Sequence, residues 1–290
     1  MPEQNFSPTA IPAILTAEAP PPEGIVVRRD IAFGKGGLRD LLADIAYPER
    51  APAPLPAVIW IHGGGWKEGT RKESPIYYLA QKGYFAASID YRFAAEAKWP
   101  AQLEDCKLAV RWLRAKAAQY GVNPERIGVW GPSAGGHLVA CLGTMGDIKE
   151  YEGDGGYPGV SSAVQAVVEY FGPTDFTVPG LSVPVLDELV RELFGVAFEQ
   201  NSQLWKSGSP IAYVKPGDPP MLLVHGDSDV AVPLAQSTVF DEALSKAGVP
   251  HELLVVKNAV HGLWANPGTT TDPSPADIQK AVDAFLGKYL

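Results

Sequence analysis

The chain has 290 residues, 46% hydrophobic and 20% charged, with a net charge of −9 from 24 Lys and Arg against 33 Asp and Glu. That length supports a large buried core, and the acid excess argues against a phosphate-seeking surface and so against nucleic acid as a partner. Its 30 glycines and 27 prolines stay below the ~25–30% of low-complexity chains, two cysteines build no disulfide framework, and no apolar run nears the ~18 residues of a membrane span.

Residues 1–24 carry six of the prolines and no periodicity, which predicts an irregular arm leading into the domain. The apolar stretch 11–15 lacks a preceding Lys or Arg and is interrupted by Pro12, so it does not read as a secretory signal, and a cytoplasmic location is expected. From residue 25 short β-rich runs alternate with helical stretches. Runs 25–33 and 41–47, separated by Gly34, Lys35, Gly36 and Gly37, predict an antiparallel hairpin. Six further runs follow, at 57–61, 84–89, 126–130, 164–170, 221–224 and 252–256. They are nearly continuously apolar, as parallel strands covered on both faces should be. The clearest helix spans 100–120, where Leu103, Cys106, Val110, Leu113 and Ala117 recur at three- and four-residue steps before Gly121. A last helix over 272–290 puts Ile278, Val282, Phe285 and Leu286 on one face. Cys106 and Cys141 both sit among apolar neighbours and are expected to be packing thiols. The sum is an α/β domain over 25–290, with one eight-stranded, mostly parallel sheet led by an antiparallel hairpin. The long stretch 176–210 lies between two strands and is where a small cap would be inserted.

Gly131-Pro132-Ser133-Ala134-Gly135 fits G-x-S-x-G and lies between a strand and a helix. A serine raised on so tight a turn leaves no room for side chains two positions either side, which accounts for Gly131 and Gly135. His62-Gly63-Gly64-Gly65-Trp66 follows the strand 57–61. Three consecutive glycines cost conformational entropy, and bare backbone N–H groups turned toward an oxyanion would justify it. The Lys-Ser/Thr of a phosphate-binding loop is missing. A nucleophilic serine needs a base and an orienting carboxylate. Of the five histidines, His261 lies just beyond the strand 252–256 with a glycine after it, and is the predicted base; His225 is expected to brace a loop. The loop after the strand 221–224 offers Asp227 and Asp229. Asp229, deeper in the loop, is the predicted acid, with Asp175 as the outside candidate. The order Ser133, Asp229, His261 is that of the α/β-hydrolase fold.

Several separate points then resemble one family: the glycine loop at 62–66, Asp90-Tyr91-Arg92, Trp99-Pro100-Ala101-Gln102, Asn123 through Ile127, Ser133 through Leu138, Phe171 through Asp175, and His225 through Asp229. Over about residues 25–290 the chain resembles the bacterial α/β-hydrolase esterases, nearest the feruloyl and acetyl-xylan esterase-like branch related to the hormone-sensitive lipase family. The resemblance implies a serine carboxylesterase acting on small acyl or aromatic esters through an acyl-enzyme, with no cofactor and no metal. It places the nucleophile on Ser133, the acid on Asp229, the base on His261, and the oxyanion donors on Gly64, Gly65 and Ala134. Pro132 stands where a polar or acidic residue is often found, and the loop 257–262 lacks the expected small lead-in to His261. Trp66 and Tyr91 are expected to face the substrate, ordinary packing being their other reading, and Leu181, Leu186 or Phe194 to wall the pocket. The rival readings are an aryl-formamidase or peptidase-type hydrolase on the same fold, a non-catalytic receptor, and an interaction module built on the Pro-rich arm.

Overall fold

The computed structural model describes residues 15–16, 20–52, 54–178 and 180–290. Most of the Pro-rich arm, 1–14 and 17–19, lies outside the described residues. Its strand β1 (Leu15–Thr16) pairs antiparallel with β5 (Glu73–Ser74) as a two-stranded ribbon.

The predicted hairpin forms from β2 (Ile25–Gly36) and β3 (Arg39–Pro48), longer at the turn than the apolar runs because the ladder continues through polar residues to Gly36 and Arg39. Then come β4 (Leu55–Ile61), α1 (Ile76–Gln81), β6 (Phe85–Ile89), α2 (Ala101–Ala115), α3 (Ala117–Tyr120), β7 (Val122–Pro132) and α4 (Ala134–Thr144). The second half holds β8 (Ala166–Tyr170), α5 (Pro184–Phe194), α6 (Ser202–Ser207), β9 (Met221–Gly226), α7 (Ala235–Ala247), β10 (His251–Val256) and α8 (Pro275–Tyr289). The large sheet has eight strands in the order β10-β9-β8-β7-β4-β6-β3-β2. Every pair from β10 to β6 is parallel; β3 is antiparallel to β6 and β2 to β3, so β3 alone runs against the rest. This is the predicted eight-stranded, mostly parallel sheet of the α/β-hydrolase fold.

Alternation along the strands explains the two layers. On β4, Ala57, Ile59 and Ile61 face a core shared with α2, α4 and α7, while Val58 and Trp60 face one shared with α1 and α8. Both faces are covered, so the central strands carry apolar residues at nearly every position. The helix predicted over 100–120 is interrupted at Lys116, and the short α3 turns Tyr120 onto Phe85 and Trp112, with ring centroids at 5.3 and 5.5 Å. It ends, as read from Gly121, on a left-handed cap. Cys106 and Cys141 are both free and buried. No described helix is long and apolar enough to cross a membrane.

Parallel strands direct their carboxyl ends to one edge. The segments that follow β4, β7, β8, β9 and β10 therefore meet there, and they are the segments carrying the glycine loop, Ser133, Phe171, Asp229 and His261. Between β8 and β9, α5 and α6 occupy the stretch expected to hold a cap.

Candidate active site

Ser133 joins β7 to α4 with φ 55° and ψ −120°, a conformation that costs a non-glycine residue roughly 1–3 kcal/mol and survives because its surroundings enforce it. They do so by contact. A Cβ on Gly131 would stand 2.6 Å from the Ile61 carbonyl oxygen, and one on Gly135 would overlap that same oxygen. The two glycines let the turn press onto the end of β4, as the G-x-S-x-G spacing predicts. The Ser133 N–H donates to Tyr170 O at 2.8 Å, tying the turn to β8 as well.

His261 closes the arrangement. Its Nε2 lies 3.0 Å from Ser133 Oγ, and its Nδ1 lies 2.7 Å from Asp229 Oδ2. A carboxylate can only accept, so Nδ1 carries the proton and Nε2 is left to accept from the serine hydroxyl. Asp229 is fixed by its own loop: Oδ1 accepts from Ala231 N–H and Val232 N–H, each at 2.9 Å. His225, fully buried, holds the same loop through Val232 O at 2.8 Å and stands 3.4 Å from Asp229 Oδ2. Burial alone would raise the Asp229 pKa, but hydrogen bonds from His225 and His261, and their charge when protonated, hold it well below the usual carboxylate range. The Asp229 carboxyl is therefore ionised wherever the protein is folded at ordinary pH.

The other candidates are occupied elsewhere. Asp175 Oδ1 caps Thr177 through its N–H and hydroxyl, both at 2.7 Å, and Asp227 Oδ1 accepts from Asn258 N–H at 2.8 Å, steadying the base loop. His137 lies between Trp66 Nε1 at 3.2 Å and Gly208 O at 2.7 Å, and burial lowers its pKa to about 4. His251 bonds Val249 O at 2.7 Å. His62, its pKa also lowered by burial, lies with Nδ1 2.7 Å from Gly63 O at the root of the glycine loop.

That loop runs through Gly64 at φ 109°, Gly65 at φ 57° and Trp66 at φ 59°. A Cβ on Gly64 would overlap the Glu68 carbonyl, and one on Gly63 would crowd Pro132 O at 3.0 Å, so bare glycines bring the loop against the Ser133 turn. Ala134 opens α4, where the first N–H groups have no partner within the helix. Of the loop's glycines, Gly63 is the one that lies against the Ser133 turn, a Cβ there standing 3.4 Å from Ser133 Cβ.

Trp66 and Tyr91 do not stand open to a pocket as expected. Both are 1% exposed. Trp66 bonds His137, and Tyr91 stacks on His62 at 4.5 Å and donates to His62 O at 3.2 Å, so both brace the glycine loop from behind. Leu186 and Phe194 are likewise buried in the core, and Leu181 lends its carbonyl to Gln236 Nε2. The α5 side chain that meets the glycine loop is Leu189: a Cβ on Gly65 would lie 2.9 Å from its Cδ2. Leu189 lies on α5, and only the docking of that helix shows which of its leucines faces the loop.

The chain is 34% identical to the esterase LipQ of Mycobacterium tuberculosis over 227 residues, 76% of this chain and 53% of LipQ, so it spans about half that relative's length. A truncated carbohydrate esterase from gut microbiota superposes with a TM-score of 0.79 at 29% identity, over 93% of this chain and 98% of that one. The thermophilic esterase Est2 of Thermogutta terrifontis superposes with a TM-score of 0.73 at 30% identity, over 92% and 94%. With the BD-FAE family model matching residues 43–244, the chain belongs to that family, among the α/β-hydrolase esterases of the hormone-sensitive lipase-like branch.

Proposed function

We propose that the protein is a serine carboxylesterase that cleaves small carboxylic esters through an acyl-enzyme. The observation that carries this is the continuous path from Asp229 Oδ2 through His261 to Ser133 Oγ, at 2.7 and 3.0 Å. Ser133 Oγ attacks the ester carbonyl carbon as its proton passes to His261 Nε2, and Asp229 stabilises the resulting imidazolium. The carbonyl electron pair moves onto oxygen, where the N–H groups of Gly64, Gly65 and Ala134 receive it. One such donor is worth about 3 kcal/mol of transition-state stabilisation. The pair returns, the C–O bond to the alcohol breaks, and Nε2 hands its proton to the leaving oxygen. Water then repeats the cycle on the acyl-enzyme, releasing the acid and restoring Ser133.

The α5–α6 insertion serves as the cap. The leaving oxygen must face His261 to take its proton, so the acyl group lies along the glycine loop, where Leu189 stands on Gly65. A short acyl chain such as acetyl suits that wall.

Hydrolysis of p-nitrophenyl acetate tests the reading. Wild type turns it over and takes a fluorophosphonate label, and Ser133→Ala loses both while keeping its circular dichroism spectrum. Turnover by Ser133→Ala near the wild-type rate would sink it. Running N-formylkynurenine beside the ester decides against the formamidase reading if only the ester is cleaved.

A further inference from the structure

The turn that follows β8 touches both ends of the proton path. Tyr170 O accepts the Ser133 N–H at 2.8 Å, and the next residue, Phe171, sets its ring edge-to-face against His261 with centroids 4.8 Å apart and planes at 69°. Phe171 holds φ at +41°, a left-handed conformation a bulky residue seldom adopts, while its N–H donates to Val224 O at 2.9 Å. Such a conformation persists only where neighbours enforce it, and it tends to mark functional sites. Beneath this turn lies Glu169. Its carboxyl is fully buried, and Oε1 accepts the Gly172 N–H. A Cβ on Gly136 or on Gly172 would stand 2.8 Å from that oxygen, so two glycines leave the space the carboxyl fills. Oε2 has no hydrogen-bond partner among the described residues. An acid in the core with one idle oxygen is costly packing, and the triad mechanism does not use it.

We infer that Glu169 and Phe171 are positioning residues: Glu169 fixes the Gly172 N–H, the turn keeps its left-handed form, and the Phe171 ring holds the His261 imidazole in line with Ser133. The same turn carries Tyr170 O, so nucleophile and base are referenced to one backbone segment. Burial pushes the Glu169 pKa up to about 8, which leaves it neutral near pH 7, and only its acceptor oxygen is needed. The role therefore transfers to glutamine and not to leucine.

This rests on the esterase reading, and one experiment separates the two. Fluorophosphonate labelling and turnover of p-nitrophenyl acetate by the wild type judge that reading alone. The variants E169Q, E169L, F171L and E169L/F171L are then compared as kcat per labelled site and as KM. We expect E169Q to stay within about threefold of wild type, while E169L and F171L each lose about tenfold or more in kcat with KM little changed, as misplaced reacting groups do. The double variant should lose no more than the worse single one, since both act through one turn. A merely structural role would lower the labelled fraction and leave kcat per site alone. Wild-type kcat per site in both leucine variants, losses that multiply in the double variant, or an E169Q as poor as E169L would overturn the inference. If E169L does not fold, F171L decides by itself, an unchanged kcat per site overturning the inference and a tenfold loss upholding it.

Discussion

Two buried acids near the same edge of the sheet are kept in opposite protonation states by their partners. Asp229 receives hydrogen bonds from two backbone N–H groups and two histidines, which outweigh its burial and keep it charged. Glu169 receives one, from Gly172, and burial prevails. The difference has a consequence for stability. In the unfolded chain Glu169 ionises near its ordinary value of about 4.5, and in the folded protein near 8. Between those values the native state holds a proton that the unfolded state has released, so the Glu169 contribution weakens as pH rises through this window. The slope is at most about 1.4 kcal/mol per pH unit. Glu169→Gln removes it. Urea unfolding at pH 5 and pH 8 should show the wild type losing stability relative to E169Q over that interval, and parallel behaviour of the two proteins would refute the buried-acid account.

At the scale of elements, α5 is clamped over the glycine loop from several sides. Lys67 Nζ is 3.6 Å from Glu192 Oε2, Lys98 Nζ donates to Glu192 O at 2.9 Å, and Trp99 N–H donates to Leu193 O at 3.1 Å. Behind it, Phe194 meets Trp205, Phe176 and Trp99 at 5.6 to 6.1 Å. The helix is thus backed by rings and does not yield easily. Leu189→Ala should therefore raise kcat/KM for p-nitrophenyl hexanoate relative to acetate by about tenfold, the scale of a few methylenes in an apolar pocket. A chain-length profile unchanged from wild type would remove Leu189 as the acyl wall. Which leucine of α5 would matter was not legible in its sequence. The face that meets Gly65 depends on how α5 docks, a matter of tertiary contact. The same limit applies to Trp66 and Tyr91, whose places after strand ends fit a pocket wall and a buried brace equally well. Ser133, Asp229 and His261 were legible because strand ends, glycine spacing and chain order constrain them without any knowledge of packing. Phe171 and Glu169 fall between: the sequence displays them beside Gly172, but only the turn's conformation connects them to the base.

For the molecule as a whole, the antiparallel hairpin must be secured to the catalytic half, and Arg71 does this. Its guanidinium reaches Asp44 on β3 at 3.1 Å, Asp90 at the end of β6 at 2.9 Å, and Asp30 at the bulge of β2. Arg71 lies two residues past Gly69, which packs against His62, so the network also anchors the far end of the glycine loop. Asp44 is 1% exposed, and of its cations Arg29 stands farther off, at 3.4 Å. Removing Arg71 would leave the buried carboxylate to the more distant Arg29 and the Asp30 N–H, and that loss, unlike the loss of an exposed pair, is large. Arg71→Met, which keeps the apolar stem, should cost about 3 kcal/mol in urea unfolding. Adding Asp44→Asn should recover part of that cost, because the buried charge goes with it. Equal or greater instability in the double variant would show that the cost does not come from the Asp44 charge. Because the glycine loop is anchored by the same cation, R71M should also lower kcat for p-nitrophenyl acetate, whereas a substitution that loosens only the outer end of the hairpin should leave turnover intact.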